Sequence, residues 1–154
     1  MNILLVERIN DANEYIELLA EAYEANGHTV VLDVQNFLFS SYVPDVVHLH
    51  WPEAIYRWRH RLPLDETTIT LIEDRLRWYR ERGAVIVYTA HNLLPHSAES
   101  ADFARQIYSR MLTHVDIVLH HGTASIPLLK TELPECAGAD HIVAPHGPYK
   151  ARAL

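Results

Sequence analysis

The chain has 154 residues, 49% of them hydrophobic and 21% charged, with a formal net charge of −7 and 11 histidines. That suits one globular domain with its own core, and the acidic balance argues against a nucleic-acid partner, which needs a basic surface. Cys136 is the single cysteine, which rules out a disulfide framework or a Cys-based zinc site within one chain and fits a reducing compartment.

Along the chain, residues 3–6 predict a buried strand, too short for a signal peptide or membrane span, so a cytoplasmic protein is expected. Tyr15, Leu18, Leu19, Ala22 and Tyr23 recur at helical spacing, with Asp11 or Asn13 as cap and Gly27 as stop. Residues 28–34 predict a second strand, 36–44 a loop and 44–50 a third strand, followed by a Trp- and Arg-rich segment, 51–61. Asp65 caps a helix that turns Ile69, Ile72, Leu76 and Tyr79 inward and stops at Gly83. A fourth strand ends at His91. Ser97 or Ser100 opens a helix with Phe103, Ile107 and Met111 on one face. The fifth strand is 116–121, Thr123 or Ser125 opens a short helix that tolerates Pro127 in its first turn, and the sixth strand starts near His141.

Strands alternating with helices predict a parallel sheet covered on both faces. The expected architecture is α/β: a three-layer α/β/α Rossmann-like domain with about six parallel strands in the order 3-2-1-4-5-6. Residues 1–150 form this single domain, and 151–154 begin a linker or tail.

Four of the strands end in histidine, at His50, His91, His121 and His146. Ligands of open α/β sheets bind outside the strands' carboxyl ends, so these imidazoles are expected along one functional edge. His91 is the candidate catalytic residue, able to accept or hold the proton of a substrate hydroxyl. His50, Trp51, Asn92, His96, His121, His146 and Gly147 are the candidate substrate-binding residues. The aromatics of 51–61 suit stacking on sugar rings, its arginines suit phosphate, and the segment also suits peripheral contact with an anionic membrane; Trp58 equally suits plain packing. His48 and His50 are expected on opposite faces, so that only one reaches the crevice. Gly147 permits close approach of backbone to a ligand. The first βα turn, residues 7–13, has no glycine, which argues against a bound dinucleotide. No cofactor and no metal site are expected, Glu7 and Glu53 being the nearest carboxylates; a metal-dependent hydrolase using His50, His91, His121 and His146 is the alternative from another class.

Residues 45–53 (Asp-Val-Val-His-Leu-His-Trp-Pro-Glu), 88–96 (Tyr-Thr-Ala-His-Asn-Leu-Leu-Pro-His), 116–122 and 143–149 together resemble the amino-terminal half of GT-B glycosyltransferases of the family 4 type. The resemblance implies an acceptor-binding domain for a sugar or lipid-linked acceptor. The nucleotide-sugar co-substrate would be held mostly by a second, carboxy-terminal domain or partner subunit, and the chain alone would be incomplete. It places His91 near the reacting hydroxyl, His50, Trp51 and Asn92 toward the acceptor, and His146 and Gly147 near the donor phosphates. A stand-alone binding or scaffold subunit that pairs with a donor-site partner is a further alternative.

Overall fold

A computed structural model of the chain describes residues 1–8, 14–58, 62–93 and 101–147. Six parallel strands, β1 (Asn2–Leu5), β2 (Thr29–Leu32), β3 (Val46–Leu49), β4 (Val85–Ala90), β5 (Ile117–His120) and β6 (Asp140–Val143), make one sheet. They are joined by α1 (Tyr15–Ala25), α2 (Val34–Phe39), α3 (Glu53–Tyr56), α4 (Glu66–Arg80), α5 (Ala101–Leu112) and α6 (Ser125–Glu132), with a 3₁₀ turn at Pro134–Gly138 before β6. The fold is the Rossmann-like α/β architecture that the alternation of strands and helices predicts.

The strand order is 2-1-3-4-5-6, not the expected 3-2-1-4-5-6. After β2 the chain does not continue outward. It crosses back over β1, and β3 pairs with β1 on its other side, with Leu5 opposite His48. This places β3 directly beside β4, with Leu49 opposite Tyr88. The expected order would have left the end of β3 at the far edge of the sheet, away from His91. The observed one makes the two ends neighbours and puts the point where the winding reverses between β1 and β3, the usual ligand crevice of such sheets.

Local signals account for most helices. At the start of α4 the Asp65 carboxylate accepts a hydrogen bond from the Thr67 N–H at 2.9 Å, satisfying one of the orphan donors of the first turn. Ile69, Ile72, Leu76 and Tyr79 face inward as the spacing predicts, and Gly83 leaves with φ +89, a conformation that favours glycine. The segment expected as a loop from residue 36 contains part of α2 instead. Asp33, at φ 95, caps this short helix by accepting from the Gln35 N–H at 3.0 Å. The Arg75 guanidinium, on α4, then donates to the carbonyls of Phe37 and Ser40, both at 2.8 Å. Six residues are too few to display a helical period, and the partner that stabilises them lies on another helix. The expected caps Asp11, Asn13, Ser97 and Ser100 lie outside the described residues.

The sheet's two faces are covered unequally. On one, Leu4, Val47, Ile86, Tyr88 and Val118 are buried in a large core with residues of α2, α3, α4, α5 and α6. On the other, Ile3 and Leu5 are buried against Ile16 and Ala20 of α1, and among the described residues α1 is the one helix in that second cluster. Side chains two apart share a face of a strand. Val85 and Val87 therefore continue this second face from Val46, and Ile117, Leu119 and Ile142 extend it through the register of β5 and β6. Val85 is 38% exposed and Ile142 47%, while Ile117 and Leu119 are half-buried.

Candidate functional site

At the carboxyl ends of β1, β3, β4 and β5, side chains from four segments gather around the ring of Tyr15, the first residue of α1. Its centroid lies 4.7 Å from that of His91, 5.0 Å from His146, 5.4 Å from His50 and 5.9 Å from His121. The predicted edge of imidazoles thus exists. Tyr15 divides it into two parts.

On one side stand His50, Trp51 and His91. His50 Nδ1 and His91 Nε2 are 3.2 Å apart, so one ring donates to the other. The Trp51 indole stacks on His91, with centroids 4.3 Å apart and planes at 17°. Trp51 is held from below: its N–H donates to Glu7 Oε1 at 3.1 Å. Glu7 follows β1, so this bond ties the ends of β1 and β3 together at the winding reversal. Burial pushes the Glu7 carboxyl up to about 8; the Trp51 N–H opposes this and the Glu53 carboxylate adds to it. Burial also drives the imidazoles the other way. His91 is pushed down to about 4, with His121 and His146 contributing, and His50 lies well below the ordinary histidine value, with His48, His91 and His121 contributing. His50 is only 1% exposed and sits behind His91. Asn92 is half-buried at the same edge.

On the other side of Tyr15 lies a cavity of about 340 Å³ between α1 and the second face of the sheet. Its helix wall is Tyr15, Leu18, Leu19, Ala22 and Tyr23. Opposite stand His48, Thr89 and Leu119, and the mouth is formed by His121 and the segment after β6, including His146 and Gly147. Among the described residues no Lys, Arg, Asp or Glu lines it. His48 lies 2.8 Å from Thr89 Oγ1 through Nε2 and 3.1 Å from the Tyr23 hydroxyl through Nδ1; burial pushes it down to about 3, with His91 contributing. His121 Nδ1 is 3.1 Å from the Ala144 carbonyl. A carbonyl can only accept, so the proton is on Nδ1, and in the neutral ring Nε2 is a lone pair. That Nε2 and His50 Nε2 are buried and have no hydrogen-bond partner among the described residues, as is the case for the Tyr88 hydroxyl in the closed core. Such orphans are rare in a folded chain.

Of the residues expected at a site, His121, His146 and Gly147 line the cavity, and His50, Trp51 and His91 assemble beside it. His96 lies outside the described residues. His48 and His50 do not diverge as expected. Positions two apart share a face, and their rings are 4.1 Å apart. At Gly147 an added Cβ meets nothing within 4 Å, so no neighbouring group demands glycine there. Trp58 packs against Phe39, with centroids 5.7 Å apart. Tyr15, Tyr23 and Thr89 are not among the residues expected at the site, and Glu7, expected only as a nearby carboxylate, holds the Trp51 N–H. The spacing of Tyr15 and Tyr23 announces an inward helix face but not that the face borders a void. A further cluster is internally satisfied: His120 lies 2.7 Å from Ser125 Oγ and 2.9 Å from His141 Nδ1, whose Nε2 is 3.1 Å from the Cys136 carbonyl. It clamps β5, β6 and α6 together on the closed face. Among the described residues no group of three or more His, Cys, Asp or Glu is placed to hold a metal ion; the imidazoles of the hydrolase alternative turn to each other, to Tyr15 and to backbone carbonyls. No helix among the described residues is long and apolar enough to cross a membrane.

No family model matches this chain, and no curated protein does. Among solved structures it is similar to that of a proposed 2-keto-3-deoxygluconate kinase from Enterococcus faecalis, at 16% identity and a TM-score of 0.38, over 83% of this chain and 46% of that one. The chain thus spans less than half the length of that structure. The expectation of an acceptor-binding glycosyltransferase half is corrected here: no family model and no curated protein supports it, and the solved structure named above is described as a 2-keto-3-deoxygluconate kinase. At this TM-score the likeness transfers no kinase activity to the chain either.

Proposed function

We propose that this domain binds a neutral, hydroxylated small molecule in the cavity beside Tyr15. The observation that carries the reading is that, among the described residues, no Lys, Arg, Asp or Glu lines a cavity of about 340 Å³ at the carboxyl edge of a parallel sheet. The imidazoles add no charge near neutral pH at His48, His50 and His91, each held below its ordinary value by burial, and Glu7 is held largely protonated. A phosphate or nucleotide is commonly held by cations together with a helix N-terminus; α1 begins at Tyr15 beside the cavity, but among the described residues the lining supplies no Lys or Arg to join it. Hydroxyls, by contrast, are matched by the Tyr23–His48–Thr89 chain, and an apolar ring face is matched by Tyr15 and Leu119.

The test is a titration followed by protein NMR and by tryptophan emission, with a Trp51→Phe variant identifying the Trp51 signal. Methyl glucoside and cis-cyclohexane-1,2-diol are expected to shift the Tyr15, Thr89 and His121 resonances, with millimolar or tighter affinity. Glucose 6-phosphate and inorganic phosphate are expected to leave them in place. Tighter binding of the phosphate compounds at these resonances would refute the reading.

A further inference from the structure

We propose that the ligand of this cavity is an amphiphile, with its hydroxylated head among the imidazoles and an aliphatic chain laid along the uncovered second face of the sheet. The proposal rests on the neutral-ligand reading above and adds the apolar part. Three observations support it. The cavity is polar at its mouth, where His121 and His146 stand, and on the wall of Tyr23, His48 and Thr89, while Leu18, Leu19 and Ala22 of α1 and Leu119 of β5 make its apolar part. On β5 its wall is Leu119 and His121. Leu119 is the register neighbour of Ile142 on β6, and Ile117 is the neighbour of Val87 on β4, so beyond the cavity the same face of the sheet carries a strip of further aliphatic side chains. The strip is open at Val85, 38% exposed, and at Ile142, 47% exposed, half-buried at Ile117 and Leu119, and closed at Val87, 9% exposed, although a parallel sheet ordinarily has both faces covered.

Size decides between occupants. A helix with its side chains is about 10–12 Å across; it could lie over the strip but could not also enter a cavity of about 340 Å³ walled by α1. An aliphatic chain is thin enough to do both, joining the imidazole end to the bare strip without a break. The ligand class is therefore a chain-bearing polyol or glycoside with an uncharged head.

A series of 1,2-alkanediols kept below micelle formation tests this. From 1,2-butanediol through 1,2-hexanediol to 1,2-octanediol, affinity is expected to tighten about fourfold per added methylene, as for full burial of a methylene group. The methyl resonances of Leu18, Leu119 and Ile117 should move progressively with chain length. Leu18→Gln, on a half-buried helix position, should flatten the series. An affinity independent of chain length in the wild-type protein overturns the proposal, whatever the variant does. Binding of methyl glucoside with a flat diol series leaves the neutral-ligand reading standing and removes the chain. A steep series in which octyl phosphate binds as tightly as 1,2-octanediol keeps the chain and removes the neutral head. Concentration-dependent dimerisation that buries Ile142 and excludes the diols would assign the strip to a second copy and overturn the proposal.

Discussion

The two faces of this sheet are made from the same kind of residue but live in different surroundings. Val118 and Leu119 are neighbours on β5. Val118 points into the closed core and is 0% exposed, whereas Leu119 points into the cavity beside α1 and is half-buried. On the closed face, aliphatic side chains are enclosed by helices α2 to α6 and contribute the transfer free energy of full burial. On the open face, the same chemistry past the edge of α1 leaves apolar surface in water, a condition that in soluble domains marks a binding site more often than a defect. The difference separates residues that hold the fold from residues available to a ligand.

The largest expected effect comes from breaking the closed face. Val118→Lys puts an ammonium where no charged partner and no water can reach it. It should cost more than about 4 kcal/mol and leave little folded protein, read as loss of a cooperative urea transition. Retention of a normal transition would show that the closed face is less enclosed than its burial implies.

Acid is the next probe, because buried histidines sit on both faces. His48 on the open face is pushed down to about 3, and His120 on the closed face to about 4, in each case chiefly by burial; His50 and His91 are depressed as well. A folded value below the unfolded 6.5 means that the stabilising contribution is present above pH 6.5 and is lost as pH falls toward 4. Glu7 has the opposite sign. Its carboxyl is raised to about 8, so its contribution is present below about 4.5 and is lost as pH rises through 8. Between pH 6.5 and 4.5 the histidines outnumber Glu7, and unfolding should take up about two protons net, after screening at the partly open His91. The urea midpoint should therefore fall steadily from pH 7 to pH 5. A midpoint that is flat or rises over that range would mean that these imidazoles are hydrated in the folded protein.

Much of this could be read from the residues themselves. Strands of a parallel sheet are near-continuous apolar runs, so a histidine at the end of such a run stands out, and four of them pointed to one edge. Asp65, Gly27 and Gly83 marked helix boundaries for reasons local to the chain. The order of the strands was not legible, because it depends on whether the segment after β2 crosses over β1, and α2, which makes that crossing, is held by Arg75 from 35 or more residues away. Nor was the cavity. Tyr15, Leu18, Leu19, Ala22 and Tyr23 have the same spacing whether they press on a sheet or border a gap beside it. The sequence likeness carried by residues 45–53 and 88–96 supplied an activity that the comparisons do not support.

The smallest expected effect is the most discriminating. Ile142 lies on β6, the edge strand of the sheet, pairs in register with Leu119 and is 47% exposed. If the second face is open in solution, the long stem of a lysine can lie over the strip and keep its charge in water, and lysine on an edge strand is a normal guard against edge-to-edge pairing. Ile142→Lys should then change the stability by no more than about 0.5 kcal/mol, the usual range for a surface site. At the same time it should weaken 1,2-octanediol binding while leaving 1,2-butanediol binding little changed, because only the longer chain reaches β6. A cost of several kcal/mol without ligand would mean that Ile142 is covered in solution, and that the asymmetry between the faces is filled by protein rather than kept for a ligand.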